Sequence, residues 1–281
     1  MTIRITTLTE NTAFLDPANL KWDFLAEYGL SILVEVEGLK ILFDTGFSIS
    51  AARNAHILGI DLSSVDKIAL SHGHNDHTGG LREILGETGK VEVIAHPDIW
   101  DTKYACVEGK ERFAGIPFRQ EELESLGASF NLTREPVWIT DNLVTTGEVP
   151  MTTDYEKIDP CLFIKEGGTM HPDPLADDLA LIIKTEQGLV VILGCAHRGI
   201  INTLRHAQNL TGENRINAVI GGTHLTAASE AGLEKTIADL RKMSIKRLGA
   251  CHCTGFHALT RLAQEFSDTF FLNNAGTKLE L

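Results

Sequence analysis

The segment Ser71-His72-Gly73-His74-Asn75-Asp76-His77-Thr78-Gly79-Gly80 follows directly on the apolar run Ile68-Ala69-Leu70. Three imidazoles and one carboxylate fall within six residues. These are the donor types that hold zinc and other borderline divalent metals. A spacing of two suits a turn in which alternate side chains point the same way, which pairs His72 with His74. Asp76 and His77 are adjacent and must aim along another line. The pattern predicts two ions about 4 Å apart, the usual spacing of a two-metal hydrolytic centre. Such a centre lowers the pKa of bound water from about 15.7 to roughly 7, so hydroxide is available at neutral pH. Asp76 is the group placed to orient the attacking water. A solvated loop has no need of this composition. Gly73, Gly79 and Gly80 fit the metal reading, since glycine lets the backbone approach an ion closely.

The remaining ligands must come from other elements. Apolar strands repeatedly end in histidine-bearing turns: Leu70 leads into His72, Leu193 into His197, Ile220 into His224 and Ala250 into His252. Active sites of layered α/β folds gather at strand ends, so four such ends suggest one rim. His197 and His252 are candidate metal ligands. His224 is a candidate for binding substrate or orienting a ligand. Cys195 is a candidate thiolate donor or a small buried residue. Asp44, after the strand Lys40 to Phe43, is a candidate acceptor behind a ligand histidine. Glu148 is a further possible ligand. His56, His96, His171, His206 and His257 read as ordinary histidines.

The elements that position these residues follow from periodicity. Strand-like runs cover Ile3 to Leu8, Ser31 to Val36 and Lys40 to Phe43, with a hairpin turn at Glu37-Gly38. Ser48 is placed to cap a helix ending near Leu58. Lys67 to Leu70 and Val91 to Ala95 are buried strands, with a short helix from Leu81 to Leu85 between them. The stretches 99–129 and 151–178 are less regular and read as insertions or long loops. Regular patterning returns from Leu179: strands end at Leu193, Ile220 and Ala250, helices cover Gly199 to Leu210 and Ala228 to Met243, and another helix ends near Phe266. A last strand is expected at Thr269 to Leu272. Two mixed sheets packed face to face, with helices outside, fit this order.

Composition bounds the function. The 281 residues suit one large α/β domain, 43% hydrophobic and 22% charged. No apolar run is long enough to span a membrane. The first residues lack the pattern of a secretory signal, so a cytoplasmic location is expected. Five cysteines scattered through the chain do not form a disulfide framework. The formal net charge of −13 repels polyanions, which excludes nucleic acid as a main partner. A small anionic substrate is still compatible, because bound dications dominate the local field.

The motif His72-x-His74-x-Asp76-His77, with Phe43-Asp44-Thr45-Gly46 before it, resembles the hallmark of the metallo-β-lactamase superfamily. The resemblance runs from Ile3 to about Leu272. It implies a four-layer αββα sandwich with a dinuclear site at one edge, and two divalent ions, zinc first, with manganese or iron as alternatives. The segments Tyr28-Gly29-Leu30-Ser31, Gly194-Cys195-Ala196-His197, Gly221-Gly222-Thr223-His224 and Cys251-His252-Cys253-Thr254-Gly255 resemble the branch named for 7,8-dihydropterin-6-methyl-4-(β-D-ribofuranosyl)aminobenzene-5′-phosphate synthase. Glu148 stands near the place of the superfamily's usual third histidine, and Cys195 stands at the place of its bridging aspartate. His197 then supplies the third histidine. On this pattern His72, His74 and His197 hold one ion, and Asp76, His77 and His252 the other. Diiron oxygen-reducing members carry glutamate at the position of His74, so hydrolysis is expected rather than redox chemistry. A small phosphate ester or phosphodiester is the expected substrate, with Lys103, Lys110, Arg112 and Arg119 as candidate anion contacts and Trp100, Tyr104 and Phe113 as candidate stacking partners. A dihydropterin-condensing synthase, a lactonase or thioesterase, and a non-enzymatic ligand sensor are the alternatives.

Overall fold

A computed structural model describes residues 2–13 and 23–281. The strands, in chain order, begin with β1 (Ile3–Thr9), β2 (Ser31–Val36), β3 (Leu39–Phe43), β4 (Lys67–Ala69), β5 (Val91–Ala95), β6 (Lys103–Val107), β7 (Lys110–Phe113) and β8 (Ala128–Leu132). They continue with β9 (Leu143–Thr145), β10 (Leu162–Glu166), β11 (Thr169–Pro172), β12 (Ala180–Thr185), β13 (Gly188–Leu193), β14 (Ile216–Gly222), β15 (Arg247–Cys251) and β16 (Lys278–Glu280). The helices are α1 (Ser50–Leu58), α2 (Asn75–Thr78), α3 (Leu81–Thr88), α4 (Gln120–Ser125), α5 (Ile200–Thr211), α6 (Glu230–Met243) and α7 (Phe256–Glu265). None of these helices is long and apolar enough to cross a membrane.

The chain divides into two compact units. The first comprises Met1–Thr102, Ala114–Leu132 and Asn274–Leu281. Its seven-stranded sheet runs β16-β1-β2-β3-β4-β5-β8. Pairing is antiparallel from β16 to β3 and parallel from β3 through β4 and β5 to β8. The β2–β3 hairpin turns at Glu37-Gly38, where both residues have positive φ, the conformation that matches strand twist in a two-residue turn. Ala51 and Ala55 of α1 and Leu81, Ile84 and Leu85 of α3 are buried with Leu33, Leu42, Ile68 and Val93 from the strands. Small residues on α1 let that helix lie close to the sheet. Ser48 does not cap α1: its hydroxyl donates to Glu27 at 2.5 Å, and Ile49 occupies the cap position.

The second unit comprises Lys103–Phe113 and Thr133–Asn273. Its five-stranded sheet runs β15-β14-β13-β12-β9. β13, β14 and β15 are mutually parallel, while β12 pairs antiparallel with β13 and β9. β13 and β14 are buried at every position, as expected of apolar strands covered on both faces. Ile200, Ile201 and Leu204 of α5 and Leu233, Ile237 and Leu240 of α6 pack with them. The i, i+4, i+7 spacing in α6 puts its three side chains on one helical face. Gly212 in the left-handed conformation ends α5, and the Ser229 hydroxyl accepts the Gly232 amide to start α6.

The two stretches expected to be insertions meet within this unit. β6 and β7 come from one, β10 and β11 from the other, and they pair as a four-stranded antiparallel sheet β11-β10-β6-β7. Their tight turns, Glu108-Gly109 and Gly167-Gly168, have positive φ at both residues. β8, from the same irregular region, instead joins the first unit's sheet. The expected strand at Thr269 to Leu272 is reduced to a single bridge between Phe270 and Leu248. β16, which follows it, pairs with β1.

Lys103 departs most from the sequence reading. It is no anion contact: it is buried, and its Nζ donates to Asp173 at 2.9 Å and Asp177 at 3.0 Å. Burial pushes the ammonium pKa down, but the two carboxylates outweigh it and hold the value above the ordinary 10.5. The charged form is therefore favoured by folding. Replacing Lys103 with Met should strand two buried carboxylates and lower unfolding stability by about 3–5 kcal/mol, read as a fall in urea midpoint. In the wild type the triad's contribution is complete below 10.5 and is lost as pH rises through the raised folded value. This part of the midpoint should hold between neutral and mildly alkaline pH and drop in strong alkali, with no such alkaline drop in Lys103→Met.

Candidate metal centre

In the first unit the histidine loop grows from the carboxyl end of β4. Asp44, just beyond β3, is fully buried with φ of 61°. Its Oδ1 accepts the Ser71 amide at 2.7 Å, and its Oδ2 accepts the Ser71 hydroxyl at 2.7 Å. Oδ2 also lies 2.7 Å from His77 Nδ1. Ser71 Oγ is 2.8 Å from His72 Nδ1. A hydroxyl that donates to a carboxylate can accept from His72 Nδ1–H. This assigns both imidazoles the same tautomer, with the proton on Nδ1 and a lone pair on Nε2.

The rings are packed tightly. His72 and His77 have centroids 4.2 Å apart, and His72 and His74 4.6 Å. His72 Nε2 lies 2.9 Å from His74 Nδ1, so two ring nitrogens converge. Asp76, in the first turn of α2, has Oδ2 3.8 Å from His77 Nε2. The loop is stitched to the Asp44 turn: Thr45 donates its amide and hydroxyl to the His77 carbonyl, at 2.7 and 3.0 Å. Gly79 and Gly80 serve this stitching. A Cβ on Gly80 would fall 2.0 Å from the Thr45 carbonyl oxygen, and one on Gly79 2.1 Å from that of Phe47.

In the second unit the carboxyl ends of parallel β13, β14 and β15 carry the remaining candidates. Cys195, His197 and His224 each offer a ligand atom within 4.8 Å of the others, and so do Cys195, His252 and Cys253. His197 is buried and its ring lies 4.1 Å from that of His224. Ala196, His224 and His252 all have left-handed backbone, with φ of 50°, 46° and 54°. Buried Glu156 accepts the Ile201 and Asn202 amides at the start of α5, at 2.8 and 2.9 Å. Gly199, at φ 99°, leaves room for that carboxylate, which would lie 2.3 Å from a Cβ there.

His224 is held by an ion pair. Its Nε2 lies 3.3 Å from Asp159 Oδ2, and the Asp159 carboxylate also accepts the Cys161 amide at 2.9 Å. The His224 hydrogen bond draws the Asp159 pKa down to about 2. Burial lowers that of His224, but the bonds to Asp159 and Cys253 push it up to about 10. His224 Nδ1 has no hydrogen-bond partner among the described residues. Burial pushes the Cys253 thiol up, while hydrogen bonds to Cys195 and His224 and the adjacent imidazoles draw it well below a free thiol's value.

Asp159, Asp178 and Glu156 were not singled out in the sequence. Asp178 is buried, and its Oδ2 accepts the Arg198 amide at 2.9 Å. Burial raises its pKa to about 7 against hydrogen bonds from the Arg198 and His197 amides. It thus holds the backbone of the His197 turn. None of the three carries a local signature. All three lie in the proline-bearing stretch 151–178, and they are bonded to residues distant in sequence.

Glu148 is not in either cluster. It is exposed and paired with Arg134 at 2.8 Å. Trp100 packs edge-on against Phe130 at the margin of the first unit's core, whereas Tyr104 packs edge-on against Phe113, which is exposed.

The donor sets fit divalent cations. Neutral imidazoles with lone pairs turned inward, a nearby carboxylate and buried sulfur are the ligands of zinc-type sites. Carboxylate-oriented histidine is the usual support for such a ligand.

Comparison with known proteins agrees with this chemistry. The family model of the Metallo-beta-lactamase superfamily matches residues 26–200. The chain is 37% identical over 288 residues to the 7,8-dihydropterin-6-methyl-4-(beta-D-ribofuranosyl)-aminobenzene-5'-phosphate synthase of Methanocaldococcus jannaschii, covering 98% of this chain and 95% of that protein. An uncharacterized protein of the same organism is 34% identical over 258 residues, covering 92% and 93%. The crystal structure of Tm1679, described as a metal-dependent hydrolase of the beta-lactamase superfamily, superposes with a TM-score of 0.84 at 31% identity, covering 99% of each chain. The fold type expected from the sequence is therefore the one observed. The chain belongs to the metallo-β-lactamase superfamily and is an enzyme of that superfamily.

Proposed function

We propose that this enzyme is a hydrolase of small phosphate esters or phosphodiesters that works with two divalent ions, zinc first. His72, His74 and His197 would hold one ion, and Asp76, His77 and His252 the other. When bound, such ions lower the pKa of coordinated water toward neutrality and stabilise charge on a reacting oxygen. The observation that carries the reading is the Asp44–Ser71–His72 and Asp44–His77 network, which engages Nδ1 of both imidazoles and so leaves the lone pair of each on Nε2.

The side chains then have distinct tasks. Asp44 fixes the tautomers of His72 and His77. Asp76 Oδ2 orients the attacking water and accepts its proton. His224, charged through Asp159, offers Nδ1–H to an anionic oxygen of the substrate. A cavity of about 210 Å³ in the second unit is lined by Ala196, His197, Thr223, His224, Ser229 and Gly232. Its size suits a small group, and a cationic imidazole beside the amino end of α6 suits a negative one. A cytoplasmic location is part of the same reading, supported by five free cysteines.

A second reading rests on the synthase named among the relatives: condensation of a dihydropterin with an aminobenzene ribofuranosyl phosphate. A panel of bis(p-nitrophenyl) phosphate, a lactone and a thioester, beside incubation with the two pterin-pathway partners, separates the readings. Turnover of the phosphodiester alone supports ours, and the condensed pterin alone overturns it.

Asp76→Asn should lower kcat by about 10²–10⁴-fold with circular dichroism unchanged, and retention of full activity would remove Asp76 from its role. Chelation should abolish turnover, and zinc or manganese should restore it. Asp44→Ala should weaken metal binding about 10–100-fold, measured by chelator competition. Affinity equal to wild type would refute the tautomer assignment.

A further inference from the structure

Two free cysteines outside the metal-ligating clusters face each other across neighbouring strands. Cys106 lies on β6, and Cys161 immediately precedes β10. The strands pair antiparallel with Ala105 opposite Leu162, so the next residue pair in register is Cys106 and Cys161. The Cys106 amide donates to the Cys161 carbonyl at 2.8 Å. The reciprocal bond is not made, because the Cys161 amide donates to Asp159; opposed residues of antiparallel strands have Cα atoms about 4.5–5.5 Å apart, inside the roughly 4.4–6.8 Å that a disulfide spans. Opposed side chains leave the sheet on the same face. Neither residue is fully buried, whereas Cys195, Cys251 and Cys253 are. An oxidant in solvent therefore meets Cys106 and Cys161 first.

We infer that Cys106 and Cys161 form a reversible oxidation site, closed to a cross-strand disulfide by a hydroperoxide. The charge of Asp159, with burial and the neighbouring Cys106, holds the Cys161 thiol above its ordinary pKa. Cys106 is accordingly the first to react. Its sulfur attacks the peroxide, the O–O bond breaks, and a sulfenic acid forms with release of alcohol or water. The Cys161 sulfur then attacks the Cys106 sulfur and expels water as the S–S bond forms. Two thiols lose two protons and two electrons, which the peroxide takes up.

The site has a path to the cavity. Asp159 accepts the Cys161 amide and pairs with His224. Closing the disulfide restrains the segment that carries Asp159 and so acts on His224. Any effect on turnover rests on the role proposed above for His224; formation of the bond does not.

The test uses the metal-loaded chain treated with hydrogen peroxide, then alkylated under denaturing conditions and mapped without reduction. The expected result is one cross-linked peptide pair joining Cys106 to Cys161, lighter by two hydrogens, with the other three cysteines alkylated. Dithiothreitol should reverse it. Cys161→Ser should leave Cys106 as a sulfenic acid trapped by dimedone, and Cys106→Ser should leave Cys161 largely unmodified at the same dose. Cross-links among Cys195, Cys251 and Cys253 with both surface thiols free would overturn the inference, as would no cross-link at all. Hydrogen exchange of residues 159–162 and 222–226 should slow in the oxidised wild type only. Unchanged exchange there would sever the link to His224 while leaving the disulfide in place.

Discussion

The carboxylate of Asp44 is the constraint on which the first half of the site depends. A buried charge is costly unless it is paired and hydrogen-bonded. Asp44 meets that condition through the Ser71 amide, the Ser71 hydroxyl and His77 Nδ1. Each of those bonds also does something for the loop. The amide bond fixes where the chain leaves β4, the hydroxyl relays the tautomer to His72, and the ring bond sets His77. Aspartate tolerates the left-handed backbone that turns the chain at this point. One residue thus supplies both the turn and the charge. The rings of His72 and His77 are thus held by hydrogen bonds from the protein itself.

The second unit solves the same problem by strain. Parallel strands β13, β14 and β15 end side by side, and the chain must reverse sharply after each. Among the described residues eight non-glycine positions have positive φ, and four of them are Asp44, Ala196, His224 and His252. Such conformations cost about 1–3 kcal/mol each and persist where surrounding structure over-determines them. Fully buried β13 and β14, with α5 and α6 packed on them, provide that rigidity. Strain here aims histidines at positions a relaxed turn does not reach.

What was legible in the sequence was what is local. His72, His74, Asp76 and His77 lie within one turn, and the strand-end positions of His197, His224 and His252 follow from apolar runs read one at a time. The α6 face and the Glu37-Gly38 hairpin follow in the same way. What was hidden depends on partners far along the chain. Lys103 looks like a surface cation until Asp173 and Asp177, some seventy residues on, are brought against it. Asp159 and Glu156 sit among prolines without periodicity, and only tertiary structure sets them against His224 and the start of α5. Glu148 was singled out by its place in a motif, yet it has a surface arginine to pair with. β16 has three residues, too few for a period, and exists because β1 offers it an edge. The close approach of Gly79 to the Phe47 carbonyl and of Gly80 to that of Thr45 was hidden for the same reason.

An acidic protein that handles an anion needs its local field to differ from its global one. The net charge of −13 acts at long range, where salt screens it over about 8 Å. Within the second unit the balance is different. Burial raises Asp178 to about 7, so its charge is partly removed near neutrality, and Asp159 spends its charge on His224. The pair Asp159–His224 is oriented, with the imidazole lining the cavity and the carboxylate bonded to its Nε2. An oriented dipole acts strongly at short range and vanishes at distance. A local field of one sense can therefore coexist with a surface whose net charge turns larger polyanions away.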